Sequence, residues 1–149
     1  MGRLHVVTAF LGLLGATVST DAEAEVLATC GASAGKTYFV DMDASWRNDR
    51  ISRGSLTFTR DARGNVNVLF KDALSGPVDA AADGAETLLL HLSADRRDFM
   101  LVVVYERTGV AETYNVITGA GGLRQVLWTT SRPRGSVFPK VAAFRAVCD

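Results

Sequence analysis

Glu112, Tyr114 and Trp128 are the residues of this chain whose types and spacing could build a binding site. Two runs, Val110 to Ile117 and Leu123 to Ser131, flank Thr118-Gly119-Ala120-Gly121-Gly122, a glycine-rich stretch of the kind that turns a hairpin. Centring the turn on Ala120 opposes Tyr114 to Val126, Glu112 to Trp128 and Val116 to Arg124. Period-two alternation gives these residues one face and leaves Ala111, Thr113, Asn115, Gln125 and Thr129 on the other. The first face is the more apolar and should point inward, carrying Glu112 with it. An interior carboxylate needs a hydrogen-bonding or cationic partner. One charged group among aromatic walls is also the composition of a small-ligand pocket. Trp46 joins Glu112, Tyr114 and Trp128 as a candidate ligand-binding residue, and Tyr38 and Tyr105 could add polar-tipped aromatic surface. The competing reading puts Glu112 at a rim in water and lets the aromatics fill a core.

Other chemical patterns fail on context. Gly31-Ala32-Ser33-Ala34-Gly35 spells the G-x-S-x-G of a hydrolase elbow, which needs a strand before the serine and a helix after it. Here Thr37-Tyr38-Phe39-Val40 follows and reads as a strand, and His91 would be the one base available to Ser33. Gly35-Lys36-Thr37 imitates a phosphate loop, but Cys30 stands where its first glycine belongs. Asp41-Met42-Asp43 with Asp49 suggests calcium, yet the positions for the turn glycine and the closing glutamate hold Trp46 and Ser52. We expect no metal and no cofactor. His91, among Leu88, Leu90 and Leu92, reads as an outward-facing residue. Arg124, Arg132 and Arg134 should gather around the loop before the final strand, as a solvated cluster or a partner-binding rim.

The elements that must position these residues are strands. Ile51 to Arg60 and Val66 to Lys71 flank Asp61-Ala62-Arg63-Gly64-Asn65; Glu86 to Leu92 and Phe99 to Glu106 flank a polar turn; Phe138 to Cys148 is the last strand. Helical periodicity is absent, save for short turns expected around Asp43 to Asp49 and Val78 to Ala82. Sequential strands joined by hairpins predict an all-β antiparallel up-and-down meander. A closed barrel of about 8 strands removes its exposed edges, and a β-sandwich is the alternative.

The first residues carry the parts of an export signal: Arg3, an apolar run from Val6 to Val18, and Ala22-Glu23-Ala24 as the cleavage site. Cleavage would separate residues 1–24 from a single domain over 25–149. A lipoprotein alternative, with Cys30 as the modified residue, would leave Cys148 alone. Without Arg3, Asp21 and Glu23 the chain keeps 15 basic and 14 acidic residues. That balance argues against nucleic acid and anionic membrane surfaces as partners. No later apolar run is long enough to span a membrane as a helix. Two cysteines in an exported chain read as one disulfide. A bridge between Cys30 and Cys148 would set the first and last strands side by side, because bridged Cα atoms lie within about 7 Å.

Cys30-Gly31-Ala32-Ser33, Glu112-Thr113-Tyr114, Trp128-Thr129 and Lys140-Val141-Ala142-Ala143-Phe144 resemble segments of a group of small exported bacterial proteins with an N-terminal and a C-terminal cysteine. No activity comes with that resemblance. The outline also resembles periplasmic lysozyme inhibitors and lipocalin-like carriers. The Ser-Gly-x-x-Tyr and Trp-x-x-Gly motifs of the former are absent, and Ala44-Ser45-Trp46 lacks the glycine of the latter's Gly-x-Trp. The sequence thus leads to a periplasmic or extracellular monomer, a non-enzymatic domain that binds a small molecule or a protein. An inhibitor of an envelope or extracellular hydrolase is the alternative, and a Ser33/His91 hydrolase is the third reading.

Overall fold

The structure is a computed structural model that describes residues 24–42, 45–72, 76–136 and 138–149. The export signal over 1–23 lies outside the described residues, as do Asp43 and Ala44 of the motifs above. The described residues form eleven strands: β1 (Glu25–Cys30), β2 (Ser33–Phe39), β3 (Trp46–Ile51), β4 (Ser55–Arg60), β5 (Val66–Lys71), β6 (Val78–Asp79), β7 (Glu86–Leu92), β8 (Phe99–Tyr105), β9 (Val110–Thr118), β10 (Arg124–Arg132) and β11 (Lys140–Val147). Among the described residues no helix is long and apolar enough to cross a membrane.

The strands make two antiparallel sheets, ordered β1-β4-β5-β6 and β3-β2-β11-β10-β9-β8-β7. Strands β7 to β11 are the expected meander. The expected closed barrel is not found among the described residues; the two-sheet sandwich fits instead. The chain changes sheet three times, at two short corners, Gly31-Ala32 between β1 and β2 and Ser52-Arg53-Gly54 between β3 and β4, and again between β6 and β7. Such corners divide a run of strands between two layers. The second one splits the stretch from Ile51 to Arg60 that reads in sequence as one strand. Trp46 to Asp49, expected within a short turn, belong instead to the edge strand β3. Having a neighbour on one side and polar residues on both faces, it lacks the alternation that marks half-buried strands.

The core lies between the layers. Phe144, Trp128, Tyr114 and Leu101 occupy one inward row across β11, β10, β9 and β8. Trp128 stacks on Phe144 with centroids 4.5 Å apart and on Tyr114 at 5.8 Å. From the other sheet, Phe58 meets Phe99 and Tyr114 edge-on, and Phe70 approaches Trp128. Each such ring contributes about 1.5–3 kcal/mol when buried. Gly35 lies opposite Phe144, where an added Cβ would stand 1.9 Å from the Ala143 carbonyl oxygen. The close approach of β2 to β11 therefore requires glycine at this position.

Cys30 and Cys148 form the disulfide and face each other in an antiparallel bridge. Beside it, Gly31 N–H donates to the Val147 carbonyl and Asp149 N–H to the Thr29 carbonyl, both at 3.0 Å. The first and last segments do lie together, with β2 running along β11.

Candidate functional site: a cavity between the sheets

At the end of the sandwich opposite the disulfide, the layers part around a cavity of about 950 Å³. Its floor is the exposed part of the aromatic row: Tyr114, Trp128, Phe144 and, from the facing sheet, Phe70. Its polar lining includes Asp49, Tyr105, Glu112, Thr130, Arg132 and Lys140.

The β9–β10 hairpin brings most of these groups together. Its register differs from the sequence-based one: Trp128 faces Tyr114, Thr130 faces Glu112 and Val126 faces Val116. The difference originates in the turn, which closes through Gly119 N–H to Leu123 carbonyl at 2.8 Å. Gly121 and Gly122 both take φ of 79°, so the turn centres one residue later than expected. The pairing consequently slips by two residues, and an even slip preserves the face on which each side chain stands. Glu112, Tyr114 and Trp128 still share the inward face.

Glu112 is half-buried and accepts a 2.6 Å hydrogen bond from the Tyr114 hydroxyl. Burial first, and then the Glu112 charge, hold the Tyr114 hydroxyl well above the usual phenol range. The same two causes push Tyr105 up to about 12. Both phenols therefore remain protonated donors at neutral pH. The Trp128 indole N–H donates to the Ser33 hydroxyl at 3.2 Å, which fixes the floor to β2. Asp49 accepts from the Thr37 hydroxyl at 2.7 Å.

Two buried donors at the cavity lack a partner. Thr130 is 2 % exposed and its hydroxyl has no hydrogen-bond partner; the buried Nε of Arg132 has none either. Lys140 stands directly opposite Arg132 in the β10–β11 ladder. Its Nζ lies 5.6 Å from the Phe39 ring centroid. Burial, and next the charge of Arg132, lower the Lys140 pKa, against weaker opposite pulls from Asp49 and Glu112.

Other sequence candidates lie elsewhere. Trp46 is 56 % exposed, packs against Tyr38 at 5.7 Å and does not line the cavity. Arg124, Arg132 and Arg134 do not gather: Arg124 is buried at the far end of β10, and Arg134 is exposed beyond Arg132. Ser33 is buried on β2, whereas His91 is exposed on β7, five strand positions away. At about 4.8 Å per strand that separation prevents their acting as a pair. Among the described residues no group of three or more His, Cys, Asp or Glu could hold a metal ion.

Sequence reasoning passed over Thr130, Lys140, Phe70 and Phe144, and it grouped Arg132 with Arg124 and Arg134 rather than with the pocket. A signal was present for three of them. Continuing the alternation from Trp128 puts Thr130 and Arg132 on the same face, and Phe144 likewise carries Lys140 inward.

No family model matches the chain, and neither a curated protein nor a solved structure matches it. The geometry itself provides an aromatic floor suited to a ring or hydrocarbon body, and a mouth rich in hydrogen-bond donors.

Proposed function

We propose that this chain is an exported, non-enzymatic binding domain that takes a small amphipathic molecule between its two sheets. The observation that carries the reading is the pair of unanswered buried donors, Thr130 Oγ1 and Arg132 Nε, beside a cavity floored by Trp128, Tyr114 and Phe144. Buried polar groups are nearly always hydrogen-bonded in folded proteins. A ligand with acceptor atoms would restore that condition here. Trp128 and Tyr114 form its apolar walls. Glu112, through its bond to Tyr114, orients the phenol and is not itself the anchor.

The disulfide supports an oxidising compartment, periplasmic or extracellular. Strand β1 starts at Glu25, the residue that cleavage after Ala24 would leave first. The likeness to small exported bacterial proteins with terminal cysteines belongs to this proposal. So does a monomeric working state.

Native mass spectrometry of the exported protein tests the whole reading. We expect a mature chain beginning at Glu25 with a bound small molecule, and Trp fluorescence of the refolded, emptied protein should change when that molecule is returned. A lipid-modified Cys30 would overturn the export reading. Absence of any bound mass, with no fluorescence response to a panel of amphipathic compounds, would overturn the binding reading.

A further inference from the structure

We propose that the ligand is an organic carboxylate, its charged group held between Arg132 and Lys140 and its apolar body lying on Trp128, Phe144 and Phe70. The inference rests on the cavity reading above and adds the chemical class of the occupant.

The argument begins with the ladder. Arg132 and Lys140 are directly opposite each other, half-buried, and both line the cavity. Like charges directly opposed on a sheet destabilise it. Elsewhere in this protein a cation is answered by a carboxylate, as Arg96 is by Glu25. Neither Arg132 nor Lys140 makes an ion pair with a described carboxylate. Glu112 accepts from Tyr114 and Asp49 from Thr37, and both carboxylates still pull on Lys140, more weakly than burial and Arg132 act against its charge. Arg132 also keeps its buried Nε unpaired, and one inward step along β10 the Thr130 hydroxyl is unpaired too. Two opposed cations and an unpaired hydroxyl thus line one side of a cavity whose lining also carries Asp49, Asp72, Asp83, Glu106 and Glu112.

A carboxylate answers all three. A guanidinium presents parallel N–H groups that match its two oxygens, and the ammonium adds a second charge-assisted contact. A cationic ligand would add a third positive charge to the pair. A neutral ligand would leave the like-charge opposition as it stands. The body is restricted by the floor: stacked rings of Trp128 and Phe144 favour a flat aromatic or alicyclic body. The cavity volume lies within the roughly 300–1,000 Å³ range of small-molecule sites.

The test compares 2-naphthoate with 2-naphthamide, which differ chiefly in charge, by quenching of Trp fluorescence at neutral pH. We expect naphthoate to bind at least tenfold more tightly. Arg132→Met and Lys140→Met should each remove that preference. On the wild-type protein, NMR titration of the Lys140 side chain should show its pKa rising when naphthoate is bound. This measurement decides the matter even if a variant fails to fold; an unmoved Lys140 at saturation overturns the site. Equal binding of the two probes overturns the anion inference and leaves the cavity reading standing. A naphthoate preference that survives both substitutions overturns the assignment to Arg132 and Lys140. If neither probe binds, the cavity reading falls and this inference falls with it.

Discussion

Strand β10 carries an inward arginine at each end, and the two have opposite fates. Arg124 lies at the disulfide end, 8 % exposed. Its Nε donates to the Arg97 carbonyl at 2.8 Å, and its Nη1 donates to the Leu27 carbonyl at 2.8 Å and the Asp149 carbonyl at 3.3 Å. The guanidinium also stands 5.9 Å over the Phe99 ring. Only its Nη2 lacks a partner. Arg132, on the same strand and the same face, meets none of these carbonyls. At the first end β1, the β7–β8 turn and the C-terminal residues converge, and a cation becomes a clamp on backbone oxygens. At the second the layers part and the same residue type is left with donors to offer. What differs is the supply of backbone carbonyls that close on the guanidinium.

If this contrast is right, substitutions at the closed end should cost stability and spare binding, and those at the open end should do the reverse. The largest effect is expected from replacing Cys30 and Cys148 together with Ser. The bridge joins residues separated by 118 positions, so its loss should cost about 3–5 kcal/mol in urea unfolding. Naphthoate affinity should stay within about twofold, provided the assay is run where the variant is folded. Arg124→Met comes next, at about 2–3 kcal/mol, since three carbonyls lose a charged donor. A loss of binding without a loss of stability in this variant would mean that the two ends are coupled.

At the open end, Tyr114→Phe removes the bond to Glu112 and should cost about 1 kcal/mol in the same unfolding experiment. Lys140→Met sharpens the comparison through pH. The Lys140 pKa is lowered in the folded chain from 10.5, so between its lowered value and 10.5 the unfolded chain binds more protons. Stability carried by this group therefore rises with pH across that window and is lost again as pH falls. Lys140→Met should lack that rise when its unfolding is compared with the wild type from pH 7 to 10. The comparison cancels the opposing contribution of Tyr105, which begins to destabilise above pH 10 because its folded value is near 12.

Much of this arrangement is legible in the residues. Alternation from Val110 to Ile117 is enough to turn Glu112 and Tyr114 to the same side, and it survives a register error because the error is even. The turn itself is less readable, since Gly119, Gly121 and Gly122 each permit several centres and only the folded hydrogen bonds select one. Layering is less readable still. A corner at Ser52 to Gly54 interrupts a stretch whose composition suits an unbroken strand, and β3 has one face exposed and the other at most half-buried, so burial leaves little mark on it. The anion site escaped notice for a different reason. Arg132 and Lys140 are near the ends of their strands, where sequence reading treats charge as belonging to a solvated loop, yet the pleat continues far enough to turn both inward.

The position of β11 in the seven-stranded sheet also affects how the chain can assemble. It lies between β2 and β10, so it alone joins the early pair β3-β2 to the later run β10 to β7. A chain emerging N-terminus first can make the β2–β3 and β4–β5 hairpins early, from neighbouring segments. It then waits until Lys140–Val147 has emerged before the large sheet becomes continuous. Until then one edge of β2 and one edge of β10 are unpaired, each a template for the wrong strand. Emergence from the N-terminus thus leaves the final strand to act as keystone, and a holding chaperone would have the most to do in the interval before it arrives.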